Sequence, residues 1–292
     1  MPLIVTAQSN PIELGNVQWL RSYPGALNKS KVERKSVLIL FQEIPGCQTC
    51  KNYGTQVLAH PLLVEAIESE FVPLAIYNNK GGDDGEVLKL YNEPAWNNPV
   101  VRIVDQSGKD VVNRMNGNYS AAGLASIMTQ AIIKNKGKAP TWLQLLTDEL
   151  KAQQKGTMEA TYSMYCFWTG EAVFGKVNGV MQTSAGFQNG KEVVIVEYDP
   201  SLITLSKLNE IAGDHQCNTV AGGSFRPDNT PKYHLSNSPY KTIPMTELQK
   251  CRVNSALAEG LDPKEYLSAR QLAYLNKTPV KNRVSMELTQ AW

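Results

Sequence analysis

The sequence predicts a two-domain protein, an α/β domain followed by an α+β domain. Three observations carry that reading. The chain has 292 residues, more than a single hydrophobic core usually spans. A continuous apolar run at 36–41 (SVLILF) has the pattern of a strand buried on both faces, and Cys47-Gln48-Thr49-Cys50 follows it closely. After a polar stretch, a second alternation of strands and helices restarts near residue 156.

In the first half, residues 16–35 read as helical. Pro45 and Gly46 break the apolar run, and a helix is expected from Cys47 to about Leu58. Another is expected over 61–70, with Pro61 at a permitted first-turn position. Residues 71–77 (FVPLAIY) form the next strand, 78–85 a Gly-rich polar loop and 86–91 a short helix. Residues 99–104 are a strand that Gln106-Ser107-Gly108 turns back into 109–112, a hairpin. Residues 120–135 close the domain as a helix. The expected boundaries are 1–138 for this domain, 139–155 for a linker and connecting helix, and 156–292 for the second domain.

In the second half, 160–165 is strand-like, 170–178 helical, 180–187 and 192–198 strands, and 202–212 a helix. That is most of a ferredoxin-like split βαβ unit. Beyond Asp214 the pattern fades into loops, with one more helix near 246–260.

Composition narrows the function. Hydrophobic residues make up 42% and charged residues 19%, as in a globular protein. The net charge is +2, from 29 basic and 27 acidic residues, which argues against nucleic acid or an anionic membrane as partner. The 5 cysteines are odd in number and sparse, unlike a secreted disulfide framework. No segment reads as a transmembrane span or a signal peptide, so the expected compartment is the cytoplasm, or the periplasm if a presequence has been removed.

Two cysteine motifs carry the chemistry. In Cys47-x-x-Cys50 two thiols one helical turn apart can close a disulfide. Cys47, at the helix start, is the expected nucleophile, because free N–H groups there favour a thiolate; Cys50 resolves the mixed disulfide. The order of elements around this motif is that of the thioredoxin fold, in which a cis-proline faces the CxxC; Pro99 in Asn98-Pro99-Val100 fits that place. The competing reading, half of a zinc site, lacks a second cysteine pair to complete four ligands, so no metal is expected.

The second motif is Cys166-Phe167-Trp168-Thr169-Gly170-Glu171, a cysteine opening a helix with an aromatic pair behind it. Its bland reading is a cysteine packed in an aromatic core. With Gly179-Val180, Thr183, Gly186-Phe187, Glu192-Val193-Val194 and Tyr198-Asp199-Pro200, it resembles the A-type methionine sulfoxide reductases. The resemblance implies that Cys166 attacks the sulfoxide sulfur, that Phe167 and Trp168 cradle the methyl group, and that Glu192 donates a proton to the oxygen. Asp228 and Tyr233 match a family Asp and Tyr by spacing, and Tyr233 would hydrogen-bond that oxygen. The chain departs from the family where Tyr165 and Thr169 replace glycines. It departs again where Gln188-Asn189-Gly190-Lys191 replaces a longer segment holding a further tyrosine.

Taken end to end, the chain resembles the thioredoxin-like (seleno)protein family named for a Val-Pro-Gly-Sec-x-x-Thr motif. Here the site reads Ile44-Pro45-Gly46-Cys47-Gln48-Thr49-Cys50, with cysteine in place of selenocysteine and Cys50 in place of threonine. The match extends through Glu93-Pro94-Ala95-Trp96-Asn97-Asn98-Pro99 and Arg252-Val253-Asn254.

Cys217, in a Gly-rich stretch, and Cys251, in a helical one, are candidate resolving thiols for Cys166. The leading expectation is a cofactor-free thiol oxidoreductase acting on an oxidised sulfur, methionine sulfoxide or a protein disulfide, with a cellular thiol as reductant. In the runner-up only Cys47 and Cys50 turn over and the second domain binds protein clients. A third reading is a redox sensor without turnover.

Overall fold

The computed structural model describes residues 10–277 and Leu288. The chain forms two compact units, Met1–Ala139 and Pro140–Trp292. Among the described residues no helix is long and apolar enough to cross a membrane.

In the first unit, α1 (Tyr23–Glu33) starts where the Ser22 side chain accepts from Gly25 N and Pro24 sets the first turn. The helical reading of 16–35 is corrected at its start. Leu20 N donates to Pro73 O (2.9 Å) and Leu20 O accepts from Ala75 N (3.0 Å), so this stretch runs extended beside a strand. β1 (Ser36–Gln42) is buried at every position. α2 (Gln48–Asn52) continues as a π-helical turn over Tyr53–Val57. α3 (Pro61–Glu70) is capped by His60, whose Nδ1 accepts from Leu63 N. β2 (Phe71–Tyr77), α4 (Asp83–Leu90), β3 (Val100–Val104), β4 (Met115–Asn116) and α5 (Ala121–Lys136) follow.

The sheet order is β2-β1-β3-β4, with β1 parallel to β2 and antiparallel to β3. On one side Val37, Ile39 and Phe41 pack with Val72, Leu74 and Ile76, and with Ala26 of α1 and Val87 and Leu88 of α4. The intervening Leu38 and Leu40 are also fully buried. Covering both faces is what a continuous apolar strand requires. The expected 109–112 hairpin strand is corrected. It gives a single bridge, Val104↔Asp110, and β3 pairs with Met115–Asn116 instead. Asp105 N donates to Lys109 O and Val111 N to Ile103 O (2.8 Å each), so the turn closes as expected but the return pairs with β3 only around that bridge.

The second unit begins with α6 (Thr141–Lys155), in the stretch read as a linker and connecting helix. Its Leu143, Leu145, Leu146 and Ala152 are buried. β5 (Met158–Ser163), α7 (Phe167–Gly175), β6 (Val180–Gln188), β7 (Lys191–Tyr198), α8 (Leu205–Asp214) and β8 (Asn218–Thr219) follow, a βαββαβ succession. β6 and β7 are joined at Asn189 and Gly190, whose φ values of 52° and 72° make the left-handed Asn-Gly turn that hairpins favour. β9 (Phe225–Pro227), α9 (Tyr233–Ser236), α10 (Glu247–Ala258) and α11 (Ala269–Lys277) complete the unit.

The second sheet is antiparallel, in the order β8-β5-β7-β6-β9. Tyr162 stacks on Phe174 (4.9 Å) in a core with Val194, Val196, Tyr198 and Leu208. The Arg252-Val253-Asn254 stretch is structural. The Arg252 guanidinium donates to Gly175 O, Val177 O and Val180 O just beyond and at the end of α7, and Asn254 Oδ1 accepts from Leu235 N.

Candidate functional site

In the first unit β1 delivers the chain to a tight loop, and Cys47 is the residue that caps α2. Glu13 Oε1 accepts from Gly46 N (2.8 Å), Asn79 Oδ1 accepts from Ile44 N (3.2 Å), and Gln42 Nε2 donates to Glu13 O and Cys50 O. Gly46 has no substitute here. A Cβ would lie 2.5 Å from Glu43 O and 2.6 Å from Cys50 Cβ.

Cys47 is exposed and Cys50 buried, both as free thiols, with Sγ atoms 3.4 Å apart. Cys50 Sγ donates to Asn98 Oδ1 (2.7 Å), and the Asn98-Pro99 peptide is cis, as is Ile44-Pro45. The two thiols differ in acidity. The backbone N–H of Cys50, with help from Thr49, holds the Cys47 thiol below its ordinary range. Burial, then the neighbouring Cys47 sulfur, pushes Cys50 up to about 12. A more acidic thiol outside with a less acidic one in contact behind it is the arrangement that dithiol exchange uses. Sequence reasoning passed over Glu43. Its carboxylate and both sulfurs lie within 4.8 Å of one another.

In the second unit Cys166, half-buried in extended backbone, caps α7. Glu192, at the start of β7, accepts from Phe167 N (2.9 Å), which sets its carboxylate beside the cysteine's own helix start. Trp168 Nε1 donates to Asp228 Oδ2 (2.9 Å). The Tyr233 ring lies flat on Trp168, at 4.1 Å and 20°. Phe167 meets Trp168 and Phe187 edge-on, at 5.5 and 5.3 Å. Cys166, Phe167, Trp168, Glu192, Asp228 and Tyr233 thus gather around the first turn of α7.

What holds Tyr233 there is a buried ion pair that sequence reasoning missed. Glu171 is fully buried. Its carboxylate accepts from Ala185 N (3.3 Å), Lys232 N (2.8 Å) and Lys232 Nζ (3.3 Å), and Nζ also donates to Thr183 O. Lys232, at φ 54°, is left-handed. Burial raises the Glu171 carboxyl above its usual range, against the pull of the Lys232 ammonium. Glu171 was visible as an acidic residue of a first turn; its partner, many residues later, was not.

The two candidate resolving thiols separate. Cys251 is fully buried in α10, its Sγ 3.7 Å from Thr183 Oγ1. Cys217 is half-buried just past α8, packs against the sheet core, and has its thiol pushed up by burial. It directly precedes Asn218, which pairs with Ser163 at the end of β5, shortly before Cys166.

Residues 18–106 match a protein family described as thioredoxin-like. A 73-residue segment is 36% identical to Peptide methionine sulfoxide reductase MsrA 1 of Nostoc sp., over 19% of this chain and 45% of that protein. A 68-residue segment is 38% identical to Peptide methionine sulfoxide reductase A5 of Oryza sativa subsp. japonica, over 19% of this chain and 27% of that protein. The chain therefore spans less than half the length of these relatives. Among solved structures, one titled DsbH Oxidoreductase aligns at 22% identity, over 44% of this chain and 92% of that chain, with a TM-score of 0.35.

Proposed function

We propose that this chain is a thiol-based oxidoreductase that reduces an oxidised sulfur, methionine sulfoxide being the substrate class its second unit fits best, and that Cys47 and Cys50 recycle it. The observation that carries the reading is the gathering of a thiol, a carboxylate and an aromatic wall at the start of α7. Glu192 sits 2.9 Å from the N–H that follows Cys166. The strand order supports it as well. Numbered within the βαββαβ unit, the sheet runs fourth, first, third, second, the ferredoxin-like order, with β9 added at the edge.

In the proposed cycle the Cys166 sulfur attacks the sulfoxide sulfur, and a proton passes through the Glu192 carboxyl to the oxygen. The bond between substrate sulfur and oxygen breaks, leaving a thioether and a sulfenic acid on Cys166. The Cys217 thiol attacks that sulfenic sulfur. Its proton leaves with the hydroxyl as water, and a Cys166–Cys217 disulfide forms. Cys251 is set aside because α10 encloses it. The Cys47 thiolate opens the disulfide and Cys50 closes on Cys47, so the dithiol supplies the electron pair. Tethering would hold the dithiol near millimolar effective concentration. A cellular thiol then resets Cys47 and Cys50. The likeness of residues 44–50 to the Val-Pro-Gly-Sec-x-x-Thr proteins supports the same nucleophile.

One observation favours a second reading, in which only Cys47 and Cys50 turn over and the second unit binds clients. Tyr233 lies flat against Trp168 and covers one face of its ring. A single experiment separates the two. With methionine sulfoxide, Cys166→Ser should abolish turnover, and dithiothreitol should not rescue it. Cys47→Ser should give at most one turnover without an external thiol, and dithiothreitol should restore it. Wild type that reduces protein disulfides but no sulfoxide, with Cys166→Ser equally active on disulfides, would establish the second reading.

A further inference from the structure

We infer that the reduced Cys47/Cys50 site binds zinc(II), with Cys47 Sγ, Cys50 Sγ and a carboxylate oxygen of Glu43 as ligands. The three ligand atoms lie within 4.8 Å of one another. The sulfurs are 3.4 Å apart. Two sulfurs on a tetrahedral zinc, each about 2.3 Å from the metal, are separated by about 3.8 Å, so a small opening seats the ion. The loop makes this possible. Between Glu43 and Cys47 the chain turns through Ile44-Pro45-Gly46, and Glu43 O comes so close to Gly46 that no side chain fits there. Glu13 anchors the turn by accepting from Gly46 N.

The donor set selects the metal. Two thiolates favour zinc over magnesium or calcium, which prefer all-oxygen shells. Three protein ligands leave a fourth position for water, an open set rather than a closed structural one. Asn98 Oδ1 accepts from the Cys50 thiol (2.7 Å), a hydrogen bond that zinc displaces together with the thiol proton. Zinc–sulfur bonds replace S–H bonds, and the displaced protons go to solvent, so binding tightens as pH rises. A zinc-bound sulfur is neither free to attack nor able to pair with its neighbour. Metal therefore holds the dithiol in reserve, and closing the disulfide removes two of the three ligands. The zinc reading of this motif failed on sequence for want of a second cysteine pair; a carboxylate takes that place.

The test uses the reduced full-length chain. Cadmium(II) is titrated in and the sulfur-to-metal charge-transfer band recorded; zinc affinity is then read in competition with a chromophoric chelator. The expected result is one equivalent per chain, lost in Cys47→Ser and in Cys50→Ser, retained in Cys166→Ser, and weakened at least about tenfold in Glu43→Gln. Circular dichroism of each variant checks that the unit is folded. No stoichiometric band, or a band lost with Cys166→Ser, overturns the site. Equal affinity of Glu43→Gln and wild type overturns the three-ligand assignment. Disulfide exchange assayed with metal removed by chelation keeps the two readings apart. Exchange without metal binding sinks only this inference, and metal binding without exchange sinks only the proposed recycling role.

Discussion

Cys47 and Cys166 occupy the same structural position in the two units, the cap of a helix that follows a strand, yet their surroundings differ in kind. Cys47 has a second sulfur 3.4 Å away, shielded and held protonated by burial. Cys166 has a carboxylate bonded to the next N–H and an aromatic stack behind it. The first site is built to trade one sulfur for another. The second sets a thiol beside a carboxyl group, a pairing suited to handing a proton to an oxygen. A helix start makes a thiol available, and what lies within a few ångströms of it decides the reaction. The two sites are also fixed differently. The first rests on side-chain-to-backbone hydrogen bonds around one short loop, whereas the second depends on a buried ion pair between α7 and the residue before Tyr233.

That contrast can be broken most forcefully at Glu171. Glu171→Ala strands a buried ammonium and should cost about 3–5 kcal/mol, read as a lower urea midpoint. The near-ultraviolet dichroism of the Trp168–Tyr233 stack should fall with it, while exchange at Cys47 and Cys50 persists. A variant as stable as wild type would mean that the ion pair does not hold the second site. Gly46→Ala should have the converse effect, about 1–3 kcal/mol of overpacking confined to the first unit. Unchanged dithiol exchange in that variant would show that the loop yields more readily than its contacts imply.

The acidity difference is sharpened by alkylation across pH. At pH 7 Cys47 should react at least about tenfold faster than Cys50, since each unit of pKa is a factor of ten in thiolate fraction. The Cys47 profile should rise below the ordinary thiol range, with Cys50 silent until far higher pH. Equal rates would erase the asymmetry. The smallest effect is expected at Asn98. Its carbonyl accepts the Cys50 thiol proton and so favours the protonated form. Asn98→Ala should therefore lower the Cys50 pKa by about one unit or less, in line with about 0.5–1.5 kcal/mol for one hydrogen bond. A rise would indicate that the amide instead donates to the sulfur.

Much of this was legible along the chain. Local signals worked where the cause is local. β1 announced itself as an unbroken apolar run and α3 by Pro61. The reading failed where distant partners decide. Residues 17–22 stay outside α1, where Leu20 bonds to Pro73 and Ala75; residues 109–112 pair with β3 only around Asp110, and Met115–Asn116 takes the place beyond it. β8, β9 and α9 are too short to leave a period in sequence.

By itself the sequence determined the order of the main elements and the place of both thiols at helix starts, because hydrophobic period, proline and glycine act within one or two turns of chain. Only the tertiary structure decided which groups stand against those thiols. Glu43 comes to Cys47 and Cys50 through a folded-back loop, Asn98 to Cys50 across the sheet, and Lys232 to Glu171 from the far end of the second unit. Such contacts are set by the packing of whole elements, and residues far apart in sequence carry no local mark of the partner they will meet.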